Sequence, residues 1–149
     1  MRLLSCLMLG LGLSVSPVLQ AAVKKLATVE VTIEGKQLTA AAGIRTLYVI
    51  VFDAKSPRPY GAMKVDLKAD ASGTLYKGDL TVDPEATSTK NDGNVMVMGA
   101  PTLPTTIRLK ARLDKDGSAG KDQPGDIVGI AEEVAAGSTA KIVINTLVK

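Results

Sequence analysis

From Val23 onward the chain alternates apolar and polar residues with a period of two, in short windows separated by Gly, Pro, Asp and Asn. Such windows predict β-strands, and no longer window keeps a helical period bounded by caps. In TVEVTIEG (28–35) Val29, Val31 and Ile33 share one face while Thr28, Glu30, Thr32 and Glu34 share the other, the mark of a half-buried antiparallel strand. RTLYVIVFDA (45–54) is apolar on both faces and predicts a central strand; Pro57 and Pro59 forbid continued pairing after it. AMKVDLK (62–68), TLYKGDLTVD (74–83), NVMVM (94–98), TTIRLKARL (105–113), DIVGIAEE (126–133) and AKIVINTL (140–147) complete the set. The fold class is all-β: an immunoglobulin-like antiparallel β-sandwich of seven to eight strands in one domain, 23–149. Antiparallel pairing is expected because no segment offers a crossover helix.

Residues 1–22 break this pattern. One positive charge, a Leu/Met/Gly/Val run and the small pair Ala21-Ala22 read as a cleaved secretory signal peptide, which implies a periplasmic protein with no membrane attachment after cleavage. Cys6, the single cysteine, lies in this segment, so the mature chain would carry no thiol.

Composition then narrows the chemistry. The formal charge of +3 falls to +2 once Arg2 is removed, too mild a balance for nucleic-acid binding. There is no His, so a Ser-His-Asp or Cys-His pair, a His/Cys zinc site and an axial His for haem are all excluded. The expectation is a protein with no catalytic residues, cofactor or metal. STAK (138–141) matches Ser-x-x-Lys but opens a strand, where alternation separates the two side chains. Asp114, Asp116, Asp122 and Asp126 supply hard oxygen donors for calcium, yet Ala119 and Gly125 stand where an EF-hand loop needs Gly and Glu, and a solvated turn is the simpler account. Met96 and Met98, joined by Met63, would make a soft Cu(I) site; core filling is the plainer use of these residues.

A partner surface is the more productive reading. In TTIRLKARL, Ile107, Leu109, Ala111 and Leu113 point one way, and Arg108, Lys110 and Arg112 form a basic stripe on the other. The central strand offers Leu47, Val49 and Val51 on one face and Tyr48, Ile50 and Phe52 on the other. A two-layer sandwich buries only one of these faces, so the second must be covered by the chain or offered to a polypeptide. Tyr48, Ile50 and Phe52 are the candidate anchors; Arg108, Lys110 and Arg112 supply orientation.

The segments TLYVIVFDAKSPRPYGAMKVDL (46–67), LTVD (80–83) and ARLDKDGSAGKDQPGDIVG (111–129) resemble, in that order, the periplasmic C-terminal β-domain of the cytochrome c maturation protein CcmI, also called CycH. The most specific part is the pattern that joins Ala111-Arg112 to Gly125-Asp126 and Gly129. The resemblance implies a non-enzymatic chaperone for apocytochrome c, here a free-standing secreted domain without the family's helical repeats and membrane helices. It also implies that Arg112 makes a structural hydrogen bond to the loop that follows it. The competing functions are a general adaptor of the cell envelope and a methionine-based Cu(I) carrier.

Overall fold

The computed structural model describes residues 22–87, 89–99 and 102–149. The signal-peptide expectation, with Cys6, falls on residues 1–22, of which 1–21 lie outside the described residues. Among the described residues nine strands run in chain order: β1 (Lys24–Ile33), β2 (Thr46–Asp53), β3 (Pro59–Asp66), β4 (Thr74–Val82), β5 (Met96–Val97), β6 (Thr106–Asp114), β7 (Ile127–Ala135), β8 (Thr139–Ile144) and β9 (Thr146–Leu147). They form a three-stranded sheet, β4-β1-β8, packed on a six-stranded sheet, β5-β3-β2-β6-β7-β9. The all-β sandwich predicted from the alternation is therefore the fold.

Side chains of alternating positions from both sheets fill the space between them. Val29 and Val31 of β1, Leu80 of β4 and Ile142 and Ile144 of β8 meet Leu47, Val49 and Val51 of β2 and Ile107, Leu109 and Leu113 of β6, all fully buried. Removing each such side chain from water contributes about 1.5–3 kcal/mol, which makes this layer the main source of stability. Gly129 of β7 is required by a close approach, since a Cβ there would stand 2.2 Å from the carbonyl oxygen of Val143. The two sheets come together at this point, and only a residue without a side chain fits.

Three details depart from the sequence expectation. The pairing of β1 with β8 is parallel, with Thr28 opposite Thr139 and Ile33 opposite Ile144. No crossover helix is needed, because between these two strands the chain passes through β2, β3, β5, β6 and β7 of the six-stranded sheet. The final apolar window divides at Asn145, whose N–H bonds the carbonyl of Val128, so its last residues cross to the other sheet as β9. Pro59 does not stand outside the pairing: it opens β3 opposite Phe52, where a register shift between Val51 and Phe52 removes the need for its missing N–H. A short 3-10 turn (Gly35–Gln37) and a single helical turn, α1 (Leu38–Ala41), join β1 to β2.

Candidate functional site

The register of the six-stranded sheet sets side chains of its outer face in rows. Tyr48 stands directly opposite Arg112, Ile50 opposite Lys110 and Phe52 opposite Arg108. The middle row continues through Ala62 to Met96 on one side and to Ile130 on the other, spanning five strands. All six sequence-predicted partner residues are therefore brought together on two adjacent strands. They do not share one environment.

At one end of the face, the loop 115–126 folds back over the sheet. Arg112 is 1% exposed and its guanidinium lies over the Tyr48 ring at 5.3 Å. Its Nη2 meets Asp114 Oδ2 at 2.9 Å, its Nη1 donates to the Gly120 carbonyl at 2.7 Å and lies 3.3 Å from Asp122 Oδ1. Its Nε is buried without a hydrogen-bond partner, with Asp126 Oδ2 at 3.9 Å. Lys110 pairs with Asp122, and the Tyr48 hydroxyl donates to the Gly117 carbonyl at 3.2 Å. Asp126 accepts from the backbone N–H groups of Lys115 and Gln123, and Ser118 N–H lies within reach of both Asp114 and Asp116. Glycines at positive φ, Gly117 and Gly125, supply the turns the loop needs.

The carboxylates respond differently to this arrangement. Burial pushes the Asp114 carboxyl above its ordinary value, aided by the hydrogen-bonding contact with Asp116 and opposed by Arg112. Asp116 is held below the ordinary value, first by Ser118 N–H. Burial raises Asp122, but hydrogen bonds and charge from Lys110 and Arg112 outweigh it and hold that group low. The aspartates of this loop thus engage Arg112, Lys110 and backbone donors. Among the described residues no cluster of three or more His, Cys, Asp or Glu is arranged to hold a metal ion. The solvated-turn reading needs correction for Asp114 and Asp126, which are 2% and 1% exposed.

At the other end the face is open. The Arg108 guanidinium lies 4.4 Å from the centre of the Phe52 ring and has no ion pair among the described residues. Ile50, Phe52 and Ala62 are half-buried, and Met96 is 68% exposed. Opposite Arg108, β7 carries two residues, Glu132 and Glu133, where the register shifts between Ile107 and Leu109; Glu133 takes φ 49°. A bulge with a non-glycine residue in the left-handed region bends the strand and interrupts regular pairing beside Arg108, before it resumes at Ile107 opposite Val134.

Met63 is buried in the core, whereas Met96 pairs with Ala62 on the outer face, so the two thioethers point to opposite sides of the sheet. Met63 does not join Met96 and Met98, which removes the three-thioether Cu(I) site weighed from the sequence. Sequence reasoning missed Asp122 as the partner of Lys110 and missed Met96, Ala62 and Ile130 as extensions of the apolar row; the first signal was the Asp-rich run directly after a basic strand. No helix among the described residues is long and apolar enough to cross a membrane. No family model, curated protein or solved structure matches this chain.

Proposed function

We propose that this domain is a non-enzymatic polypeptide-binding module that uses the outer face of its six-stranded sheet. The observation that carries the reading is the open row of Met96, Ala62 and Ile50 beside the Phe52–Arg108 stack. A sandwich needs apolar residues only between its sheets, and an outer apolar row rimmed by an arginine that has no ion pair among the described residues suits a partner that supplies aliphatic side chains and a carboxylate. Arginine and aromatic side chains of this kind carry disproportionate binding energy when a partner desolvates them. The resemblance to the CcmI domain makes the preferred partner apocytochrome c or another maturation component, encountered in the periplasm. The absence of His and of any Cys beyond Cys6 accords with a module that holds such a chain without competing for its haem.

The test is binding of apocytochrome c to the exported protein. The double variant Phe52→Asp, Arg108→Glu is expected to lose affinity by about tenfold or more, as removal of a central anchor does. Unchanged affinity in a normally folded double variant would exclude this face, and an unaltered protein that binds no apocytochrome would exclude the maturation role.

A further inference from the structure

We propose that the loop 117–122 is an intramolecular stand-in for the ligand, laid over one half of the polypeptide-binding face and displaced by an acidic chain that starts from the open half. The inference rests on the polypeptide-binding reading and adds the chemistry of the partner: an extended segment in which aliphatic and acidic residues alternate.

The loop itself demonstrates what the stripe accepts. It presents the Gly120 carbonyl and the Asp122 carboxylate to Arg112, the same Asp122 to Lys110, and the Gly117 carbonyl to the Tyr48 hydroxyl. Those are two backbone carbonyls and one acidic side chain, the groups any extended acidic polypeptide carries. Two rungs along β6, Arg108 stands over Phe52 in the relation that Arg112 holds to Tyr48, but no loop residue reaches it. The covered and open halves are thus successive parts of one surface, with Ile50 between them. The loop also leaves Arg112 incompletely satisfied, since its buried Nε has no hydrogen-bond acceptor among the described residues. A buried donor without a partner is costly, and an incoming carboxylate could supply the acceptor that the loop does not.

Displacement does not require the base of the loop to unfold. Asp114 and Asp126 at its two ends are buried and engaged with Arg112, and Asp126 also accepts from the backbone N–H groups of Lys115 and Gln123; of these end contacts only the Ser118 N–H bond to Asp114 lies within the lifted segment. Asp122, by contrast, keeps about a third of its side chain exposed, at 31%. Gly120, without a side chain, adds freedom at the point that must lift. A ligand that needs the covered half binds only the fraction of molecules whose loop is raised, so its apparent affinity is reduced by that fraction.

The probe is a fluorescent, C-terminally amidated peptide of alternating Leu and Glu, followed by anisotropy. The unaltered protein should bind it. Asp122→Ala, which deletes the loop's carboxylate, should tighten binding about fivefold by raising the competent fraction. Tyr48→Phe, which keeps the ring and removes only the bond to Gly117, should tighten it by about twofold and covers the case in which the first variant folds poorly. Amide exchange over 117–122 should quicken in both. If the unaltered protein binds but neither variant tightens, or Asp122→Ala weakens binding, the loop is no stand-in, while the polypeptide-binding reading stands. If neither the unaltered protein nor any variant binds, both are overturned.

Discussion

Arg108 and Arg112 lie on the same strand and the same face, and each sits opposite an aromatic residue of β2, yet their surroundings are opposite. Arg112 is enclosed by Asp114, Asp122, Asp126 and the Gly120 carbonyl above Tyr48. Arg108 lies above Phe52 with its donors free of any carboxylate among the described residues. The strand pattern that places both residues is identical; the difference comes from a loop that returns over one and stops short of the other. One cation has become part of the fold, and the other remains available to a partner. A stripe of three basic residues therefore contains a single one, Arg108, that is still uncommitted.

The comparison breaks first at Arg112. Arg112→Met would leave Asp114 and Asp126 buried without their countercharge, and loss of one partner from a buried ionic cluster costs ~3–5 kcal/mol. Urea denaturation should show that loss in the midpoint with the slope retained. Arg112→Lys should recover only part, because an ammonium cannot reproduce the fork that reaches Asp114 and Gly120 at once. A loss below ~1 kcal/mol for Arg112→Met would mean that the loop carboxylates are hydrated and the covered half is as open as the other.

Gly129 comes next. It lies one register position from Val128, the residue opposite Arg112, and a Cβ on it would meet the Val143 backbone at 2.2 Å. Gly129→Ala should destabilise the domain by about 1–3 kcal/mol, the usual cost of forcing atoms into a filled space. A thermal or urea melt measures it. Together with the first variant this tests whether the Arg112, Gly125-Asp126 and Gly129 pattern is structural: each of its side chains or turns closes the loop or joins the sheets, and none lies on the open half of the face.

What the sequence revealed divides along the same line. Alternation in 105–113 correctly assigned Ile107, Leu109, Ala111 and Leu113 to the interior, because strand side chains alternate whatever else surrounds them. It also separated Tyr48, Ile50 and Phe52 from Leu47, Val49 and Val51, without deciding which of the two sets faces outward. Register was not legible: that Arg108 meets Phe52 and Arg112 meets Tyr48 depends on how β2 pairs with β6, a long-range relation. Nor was the cover, since an Asp/Gly-rich loop has the same composition whether it is solvated or folded onto a sheet. The parallel β1–β8 pair was missed for a related reason, as local pattern says nothing of which distant strand becomes a neighbour.

A smaller effect, within about 1 kcal/mol, is expected at Asp114. Its carboxyl is raised by burial, so the folded state holds the proton more tightly than the unfolded chain. The stability it contributes is therefore fully present below the unfolded value and falls as pH rises through the raised one. Asp116 and Asp122, both lowered, act in the opposite sense: their contribution is present above the ordinary carboxylate range and is lost as pH falls through their folded values. Asp114→Asn removes the first and leaves the Ser118 N–H bond that is the main cause of the Asp116 lowering, while replacing the smaller hydrogen-bonding contact between Asp114 and Asp116. Denaturation at a series of pH values should show the variant gaining on the unaltered protein as pH climbs just above the ordinary carboxyl range. A constant difference across that range would contradict a raised Asp114.

The smallest effect on stability belongs to Arg108, and that is what makes it the sharpest test. Its contact with Phe52 contributes on the order of 0.5–1 kcal/mol at a half-exposed site, and it holds no carboxylate whose burial would become costly. Arg108→Gln keeps a polar side chain on the stack and should shift the unfolding free energy by about 0.5 kcal/mol or less. If Arg108 meets a ligand carboxylate, the same change should weaken binding of the Leu–Glu peptide severalfold and lower its salt dependence, because one screened attraction is lost. Arg112 cannot be tested this way, since its replacement disturbs the fold before the ligand arrives. A stability loss at Arg108 approaching that at Arg112 would show that the open half is also held by the chain itself, and the distinction between the two arginines would disappear.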